Sequence, residues 1–237
     1  MTRGRPKDAE AAQAAILEAA EANFAEQGFA GARVDLIAHL SGYNKSLIFH
    51  YFGDKLGLYT AVLQRADQQG QYLNAYIFEM LAVDLDLTAD AVRRFIERMA
   101  GATFDYFITH PRVLRILAWE EAEGWTTLAK VSSRLDQSDV GLFNAFVDRA
   151  QRAGALRPNL SPRLVLHVIF NTCRSYFTSV QLFDLIAPED GSVTEDRLAS
   201  AREQIAAFVT HGLIADDPSP AGDRPAPAVE TRPVQAR

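Results

Sequence analysis

The sequence has few of the features that support disulfide, metal or membrane chemistry. Cys173 is the single cysteine among 237 residues, which excludes an internal disulfide and a cysteine-based zinc cluster. The histidines show no pairing at ligand spacing, so we expect neither a metal site nor a cofactor. No apolar run approaches the roughly 20 residues of a membrane helix, and the polar N-terminus does not resemble a signal peptide. These absences predict a soluble, cytoplasmic protein without a membrane partner.

Net positive charge is also lacking. The formal charge of -6 argues against a protein that coats nucleic acid by bulk attraction, but it leaves room for a small basic docking surface. No serine–histidine–aspartate grouping, cysteine–histidine grouping or phosphate loop is recognisable in the sequence. We therefore predict no catalytic residues, and an enzyme is the least favoured class.

Helical periodicity is what the sequence has in abundance. Hydrophobic residues make up 48% of the chain, and they recur at helical spacing without a convincing alternating strand. This pattern predicts an all-α fold of about nine helices. In the first part of the chain, we expect helices from Asp8 to Gly28, Val34 to Ser41, Lys45 to Tyr51, and Asp54 towards Leu81. Further on, we expect helices that begin at Thr88 or Asp90, at Pro111, after Gly124 (ending at Ala153), at Pro162 and near Thr194.

The pattern divides the chain into three regions. Residues 1–53 are expected to form a three-helix domain with a short basic arm, and residues 54–214 are expected to form a helical bundle. Residues 215–237 hold half of the ten prolines and almost no large apolar residue, so we predict that this tail is disordered.

The stretch Val34–Phe52 has the form of a helix-turn-helix, because two short predicted helices are joined by a turn that contains Gly42. Asn44 is placed to cap the second of them. A small core is expected from Ile37, Leu40, Ile48 and Phe52, together with Leu17 and Phe24 of the first helix. The outer side then carries Lys45, Ser46, Leu47, Phe49 and His50. A short helix with such a rim suits the major groove of DNA.

Groups suited to phosphate surround this short helix. The Tyr51 hydroxyl can donate a hydrogen bond, and Lys55 lies in the first turn of the fourth helix, where backbone N–H groups also favour an anion. Arg3, Arg5 and Lys7 form a basic arm before the first helix. The arm could reach a DNA backbone or minor groove, or it could be a solubilising terminus, and the sequence leaves both open.

The stretch from Ile37 to Lys55 resembles the signature of the tetracycline-repressor (TetR) family, which is close to I-A-x-x-A-G-V-S-x-G-x-L-Y-x-Y-F-x-x-K. Matching residues are Ile37, Ala38, Gly42, Tyr51, Phe52 and Lys55, with Ser41, Asn44, Ile48 and Phe49 as near equivalents. The resemblance implies a homodimer with an N-terminal DNA-binding domain and a C-terminal domain that binds a small molecule and dimerises through its last two helices. It also implies a transcription regulator, usually a repressor, whose partner is a near-palindromic double-stranded DNA operator.

The same resemblance implies which residues touch DNA. The positions that usually do so are occupied here by Asn44, Lys45, Tyr51 and Lys55. Ala32 and Arg33 stand where the family has Thr or Ser, and Arg33 can still reach phosphate. Ser46 and Leu47 replace the usual Gly-Thr, so the family's operator sequence cannot be carried over. We predict that Leu47 or Phe49 packs on thymine methyl groups.

The C-terminal half is rich in aromatic residues that could line a pocket. The candidates are Phe104, Phe107, Trp119, Phe143, Phe146, His167, Phe170, Asn171 and Arg174. Together they could bind a small apolar or aromatic effector, or each could be core. The alternative function is therefore a DNA-binding dimer without ligand control. Glu120, Glu121 and Glu123 indicate a solvated acidic patch, although one of them could reach inward.

Overall fold

The computed structural model describes residues 6–82, 87–134, 138–186 and 194–215, with the backbone alone at 6–7, 69–82, 138–139 and 183. Within these ranges the chain is helical apart from short connections, which confirms the predicted all-α class. The helices are α1 (Pro6–Gly31), α2 (Val34–Ser41), α3 (Lys45–Phe52), α4 (Lys55–Ala82), α5 (Ala89–Thr109), α6 (Pro111–Ala122), α7 (Thr126–Val131), α8 (Ser138–Arg152), α9 (Pro162–Ile186) and α10 (Glu195–Leu213). No described helix is long and apolar enough to cross a membrane.

The segment after Gly124 differs from the single long helix that we expected. α7 ends at Val131, a 3-10 turn follows at Ser132–Arg134, and α8 begins only at Ser138. The Ser132 hydroxyl donates a hydrogen bond to the Ala129 carbonyl oxygen at 3.1 Å, and serine side chains of this kind compete with helical backbone bonds. The described ranges therefore contain ten α-helices rather than about nine.

Several predicted helix ends are confirmed by their local hydrogen bonds. The side chains of Asn44, Asp54, Thr88 and Ser161 accept hydrogen bonds from backbone N–H groups at the starts of α3, α4, α5 and α9. α1 is interrupted at Gly28, where φ is 64° and ψ is 178°, before one last turn to Gly31. Glycine adopts such a backbone far more easily than other residues, so Gly28 ends the regular part of α1 as predicted.

The first hydrophobic core lies beneath the helix-turn-helix. Its buried residues include Ile16, Phe24, Ile37, Ile48 and Leu58 from α1 to α4, with Ile116 from α6 and Val131 from α7. Leu40 does not belong to this core and is 56% exposed, so that expectation was wrong. The inward face of α2 runs through Val34, Ile37 and Ala38, and Leu40 lies on its flank near the end of the helix. The three N-terminal helices thus pack against α4, α6 and α7.

The second half of the chain holds two further cores. α5, α8, α9 and α10 surround one core, which includes Phe95, Phe143, Phe146 and Val209. The other core includes Phe104, Phe107, Leu114 and Cys173. Cys173 is fully buried, and burial raises the pKa of its thiol to about 12, so the thiol stays protonated and unreactive at neutral pH. An antiparallel bridge between Leu156 and Ile214 ties the end of α10 to the connection before α9.

Candidate DNA interface and its supports

The turn between α2 and α3 is fixed by local hydrogen bonds. Gly42 ends α2 in the left-handed conformation with φ of 75°, and its N–H donates to the His39 carbonyl oxygen at 3.3 Å. Asn44 precedes α3, and its side-chain oxygen accepts from the Leu47 N–H at 2.9 Å. Ile48 is fully buried in the core, so α3 is anchored by one side while the other faces solvent.

The side of α3 that faces solvent is the side predicted from the sequence. Lys45, Ser46, Phe49 and His50 are exposed and Leu47 is half-buried, and we name these five side chains the α3 surface. Tyr51 is also half-buried, because its ring packs against the N-terminal core. The ring centroids of His50 and Tyr51 lie 5.4 Å apart. This arrangement leaves Phe49 available for an apolar contact outside the chain and gives Tyr51 a partly buried, restricted position.

Lys45 has a partner that the sequence did not reveal. Its Nζ lies 3.0 Å from the Oδ1 of Asp35 in the first turn of α2. The same ammonium lies 5.8 Å from the centre of the Phe49 ring, within range of a cation–π interaction. The pair is on the solvent side of the helix-turn-helix, so a carboxylate stands directly beside the α3 surface.

Arg33 lies just before α2, where its backbone is extended and its side chain is exposed. Its backbone N–H donates to the buried Asn23 side-chain oxygen at 3.2 Å, which fixes the entry into α2. The guanidinium group is therefore free to project from a fixed backbone position. Arg3 and Arg5, the other predicted phosphate ligands at this end of the chain, lie outside the described residues.

Lys55 is engaged within the protein. Its Nζ donates to the Ala30 carbonyl oxygen at 3.1 Å and lies 4.9 Å from the centre of the Phe29 ring. Burial lowers the pKa of Lys55, and the nearby Glu123 carboxylate acts in the opposite direction. Lys55 thus joins the start of α4 to the last turn of α1, although the sequence indicated a phosphate ligand.

A buried carboxylate joins α6 to the base of the helix-turn-helix. Glu120 is 2% exposed, and its Oε1 accepts a hydrogen bond from the Tyr59 hydroxyl at 2.6 Å. Its Oε2 accepts from the Leu128 backbone N–H at 2.9 Å. Burial, together with the Glu120 carboxylate, raises the pKa of Tyr59 well above its usual range. α4, α6 and α7 therefore meet at one polar group inside an apolar core.

The sequence carried a signal for this inward glutamate. Val113 and Ile116 are buried on α6, and Glu120 follows them at helical spacing on the same face. Glu121 falls off that face and is exposed, whereas Glu123 continues the same spacing but follows the last residue of α6 and is half-buried. Position within the helical period could therefore have separated Glu120 from Glu121, but not from Glu123.

Trp119 forms a second link between α6 and α1. Its Nε1 donates to the Ala25 carbonyl oxygen at 3.3 Å. A Cβ atom at Gly28 would lie 3.0 Å from the indole Cδ2, so the ring covers the interruption in α1 at close range. The remaining indole surface lines an open groove with Glu26 and Arg115. Trp119 therefore belongs to the contact with α1, away from the other predicted pocket residues.

Ion pairs connect α6 with helices on both sides. Glu18 of α1 binds Arg112 at the start of α6, and it also binds Arg65 of α4 at 3.0 Å. The hydrogen bond with Arg112 is the main cause of a lowered pKa at Glu18. On the other side, the Arg174 guanidinium of α9 lies 2.7 Å from Glu121 at the end of α6. α6 is thus tied to the N-terminal helices and to α9 at the same time.

The remaining pocket candidates fall into separate groups. Phe143 and Phe146 are buried in the core around α8, whereas Phe104 and Phe107 are buried in the core with Cys173. Phe170 packs edge-on against Phe107, with ring centroids 5.2 Å apart, and is partly exposed. The described residues therefore bring Phe104, Phe107 and Phe170 together, and place Phe143 and Phe146 elsewhere.

Three polar candidates form a row on α9. The Asn171 amide nitrogen lies 3.1 Å from the Nδ1 of His167, and the Asn171 oxygen accepts from the Nε of Arg174 at 3.2 Å. His167 is exposed, whereas Arg174 is buried against Glu121. This row runs along the same helix as Phe170, so the apolar and polar candidates of α9 lie close to one another.

Comparison with known proteins agrees with this architecture. The model of the bacterial regulatory proteins of the tetR family matches residues 16–62, which cover the helix-turn-helix and the start of α4. The model of the tetracyclin repressor-like C-terminal domain matches residues 93–209, from α5 into α10. The two matches lie in different parts of the chain and identify the same family.

Individual relatives agree with these models. The HTH-type transcriptional repressor SCO4008 of Streptomyces coelicolor is 38% identical over 117 residues, which are 49% of this chain and 53% of that repressor, so the alignment spans about half of each. The HTH-type transcriptional repressor NicS of Pseudomonas putida is 26% identical over 197 residues, covering 78% of this chain and 89% of NicS. The crystal structure of SCO4942 from Streptomyces coelicolor superposes with a TM-score of 0.60 at 26% identity and covers 84% of this chain and 97% of that one. The chain belongs to the tetracycline-repressor (TetR) family of DNA-binding transcription regulators.

Proposed function

We propose that this protein is a cytoplasmic, homodimeric repressor that binds a near-palindromic operator and is released from it by a small apolar or aromatic effector. The observation that carries the proposal is the α3 surface, an exposed face on a short, capped helix that is anchored by buried Ile48. We assign DNA binding to residues 1–53 and effector binding and dimerisation to residues 54–214. Residues 215–237 are assigned to a tail with neither role.

In the proposed complex, α3 enters the major groove and the flanking groups bind phosphate. Arg33 is exposed beside α2 and can reach the DNA backbone. We assign phosphate binding to Arg3 and Arg5 of the basic arm as well. Phe49 or Leu47 contacts thymine methyl groups, because an apolar side chain gains by covering them. Lys55 contributes to DNA binding through the position of α4, since its ammonium already binds the Ala30 carbonyl oxygen.

Dimerisation through α9 and α10 is supported by their exposed apolar residues. Leu164, Leu182, Ile186 and Phe208 are all exposed on these two helices, with Phe208 at 72%. Pairing two copies about a two-fold axis would bury this surface in a four-helix arrangement. The two recognition helices would then lie about 34 Å apart, one turn of DNA, and a near-palindromic operator follows.

Effector control is supported by the neighbourhood of Phe107, Phe170, Asn171 and Arg174. Aromatic rings there lie next to hydrogen-bonding groups, the combination found in small-molecule sites. Release requires the effector to bind the DNA-free state more tightly than the DNA-bound state. Arg174 is paired with Glu121, so an effector that contacts this region would act directly on α6.

The alternative is a DNA-binding dimer without an effector. It is favoured by the complete burial of Phe104, Phe107, Phe143 and Phe146 in packed cores. Melting curves of the protein with a panel of apolar and aromatic compounds separate the two functions. A compound that raises the melting temperature and weakens DNA binding supports effector control, whereas no response across the panel supports the alternative.

The experiment that tests DNA binding measures affinity for the DNA immediately upstream of the protein's own gene and its neighbours, across a salt series. We expect tight binding to one near-palindromic segment, with affinity that falls steeply as salt rises. The stoichiometry should be one dimer for each such segment. Binding that ignores sequence at every salt concentration would contradict the proposed function.

A further inference from the structure

One flank of the α3 surface carries a carboxylate. Asp35 is the second residue of α2, and its Oδ1 lies 3.0 Å from the Nζ of Lys45 at the start of α3. The same ammonium lies 5.8 Å from the centre of the Phe49 ring. Both partners of the ion pair are largely in solvent, with 65% of the Asp35 side chain and 47% of the Lys45 side chain exposed. Asp35 therefore holds a positive charge beside an exposed aromatic ring.

This ion pair contributes little to folding, because exposed pairs gain little in water and are screened by salt. Next to DNA the same carboxylate has a larger effect. Phosphate oxygens repel it, and they compete with it for the Lys45 ammonium. Its main consequence is therefore expected in DNA binding rather than in stability.

We propose that Asp35 is a specificity-determining residue, which withholds the Lys45 charge from DNA phosphates and keeps Lys45 and Phe49 arranged for the operator. The inference rests on the proposed DNA-binding function. On nonspecific DNA, affinity comes from phosphate contacts, so a paired Lys45 and a neighbouring carboxylate both weaken it. On the operator, base contacts by the α3 surface offset this loss. A repulsive group thereby widens the ratio between the two affinities.

The test compares the full-length protein with its Asp35→Asn variant on two duplexes. One duplex is selected by the wild-type protein from a random-sequence pool, and the other has the same composition in scrambled order. We expect Asp35→Asn to bind the scrambled duplex about threefold to tenfold more tightly, because Lys45 becomes available to a phosphate. The selected duplex should gain less, so the ratio of the two affinities falls. The slope of log affinity against log salt on scrambled DNA should become steeper by about 1.8 for a dimer, about 0.9 for each of its two Lys45 ammoniums.

Two controls isolate the ion pair from the general loss of a negative charge. Asp90→Asn removes an exposed carboxylate at the second position of α5, beside Ala89, which packs against the C-terminal core. Asp90→Asn should leave unchanged both the ratio of the two affinities and the slope of log affinity against log salt. In a Lys45→Gln background, Asp35→Asn should have a much smaller effect, since there is no ammonium to release.

The outcomes separate this inference from the proposed function. If the wild-type protein selects no sequence from the pool, sequence-specific DNA binding fails and the role of Asp35 fails with it. If selection succeeds but Asp35→Asn leaves the affinity ratio unchanged, only the inference about Asp35 is overturned. The same holds if the gain on scrambled DNA is equal with and without Lys45.

Discussion

The two sides of the helix-turn-helix are held by different kinds of interaction. On the outer side, Lys45 and Asp35 form an exposed pair in solvent. On the inner side, Glu120 binds Tyr59 inside the core, and the Trp119 ring lies against Gly28. Water competes with the outer pair and is excluded from the hydrogen bond between Glu120 and Tyr59. Substitutions on the inner side should therefore change the free energy of unfolding, whereas those on the outer side should change mainly DNA affinity.

The largest effect is expected for Gly28→Ala. The backbone at this position has φ of 64°, and the new Cβ would lie 3.0 Å from the Trp119 ring. Backbone strain and crowding together should lower the free energy of unfolding by about 2–4 kcal/mol. Gly42→Ala is the comparison for ordinary left-handed strain, because its φ is 75° and its ψ is 10°, and no atom of another part of the chain lies within 4 Å of the added Cβ. The backbone at Gly28, with ψ of 178°, is more strained for alanine. Strain alone should cost about 1–2 kcal/mol at Gly42, as measured by urea unfolding. Equal losses for the two variants would contradict both the greater backbone strain at Gly28 and its restriction by Trp119.

A smaller loss of stability is expected for Tyr59→Phe. The change leaves one oxygen of the buried Glu120 without its hydrogen bond, which should cost about 1–3 kcal/mol in the free energy of unfolding. Tyr106→Phe is the comparison, because the Tyr106 hydroxyl donates to the neutral Ala66 carbonyl oxygen at 2.9 Å. Loss of this hydrogen bond should lower the free energy of unfolding by about 1 kcal/mol. The prediction fails if thermal or urea unfolding gives the two variants the same stability.

Asn44→Ala should separate stability from DNA binding. Loss of the cap on α3 is expected to cost about 1 kcal/mol, and Thr88→Ala should cost the same at the start of α5. Only the first variant frays the helix that carries the α3 surface. Operator affinity should therefore fall about fivefold for Asn44→Ala and stay unchanged for Thr88→Ala. Equal affinities for the two variants would contradict the assignment of α3 to DNA recognition.

The same two sides differ in how far the sequence could predict them. The helix-turn-helix was predictable because its determinants are local: Asn44 caps α3 within three residues, and Gly42 ends α2. The contacts on the inner side were not predictable, because the residues that form them are distant in the chain. Tyr59 and Glu120 are separated by 61 residues, and Lys55 and Ala30 by 25. Helical periodicity gives the inward face of each helix but does not say which helix it meets.

The C-terminal half shows the same limit. The sequence identified an excess of aromatic residues, and most of them are buried. It could not divide them among cores, so Phe104 and Phe143 were grouped together although they lie in separate clusters. Trp119 was grouped with them as well, although its partners Ala25 and Gly28 lie on α1. Which helices pack together is decided by the whole chain, and a window of sequence does not contain that information.

The smallest effect is expected for Glu18→Gln. This change removes the ion pairs by which Glu18 of α1 binds Arg112 of α6 and Arg65 of α4. The hydrogen bond with Arg112 lowers the pKa of Glu18 in the folded protein. A carboxyl group with a lowered folded pKa stabilises the protein above its unfolded pKa and loses that contribution as the pH falls. Between pH 7 and the acid limb, Glu18→Gln should therefore lose at most about 1 kcal/mol, because the pair is half exposed to solvent. Below the ordinary glutamate pKa the difference should shrink to nothing as the wild-type carboxylate is protonated.

Glu10→Gln, at an exposed position on the same helix, is the control and should follow the wild-type stability curve throughout. A Glu18→Gln curve that runs parallel to the wild type at every pH would mean that Glu18 contributes through packing and not through charge.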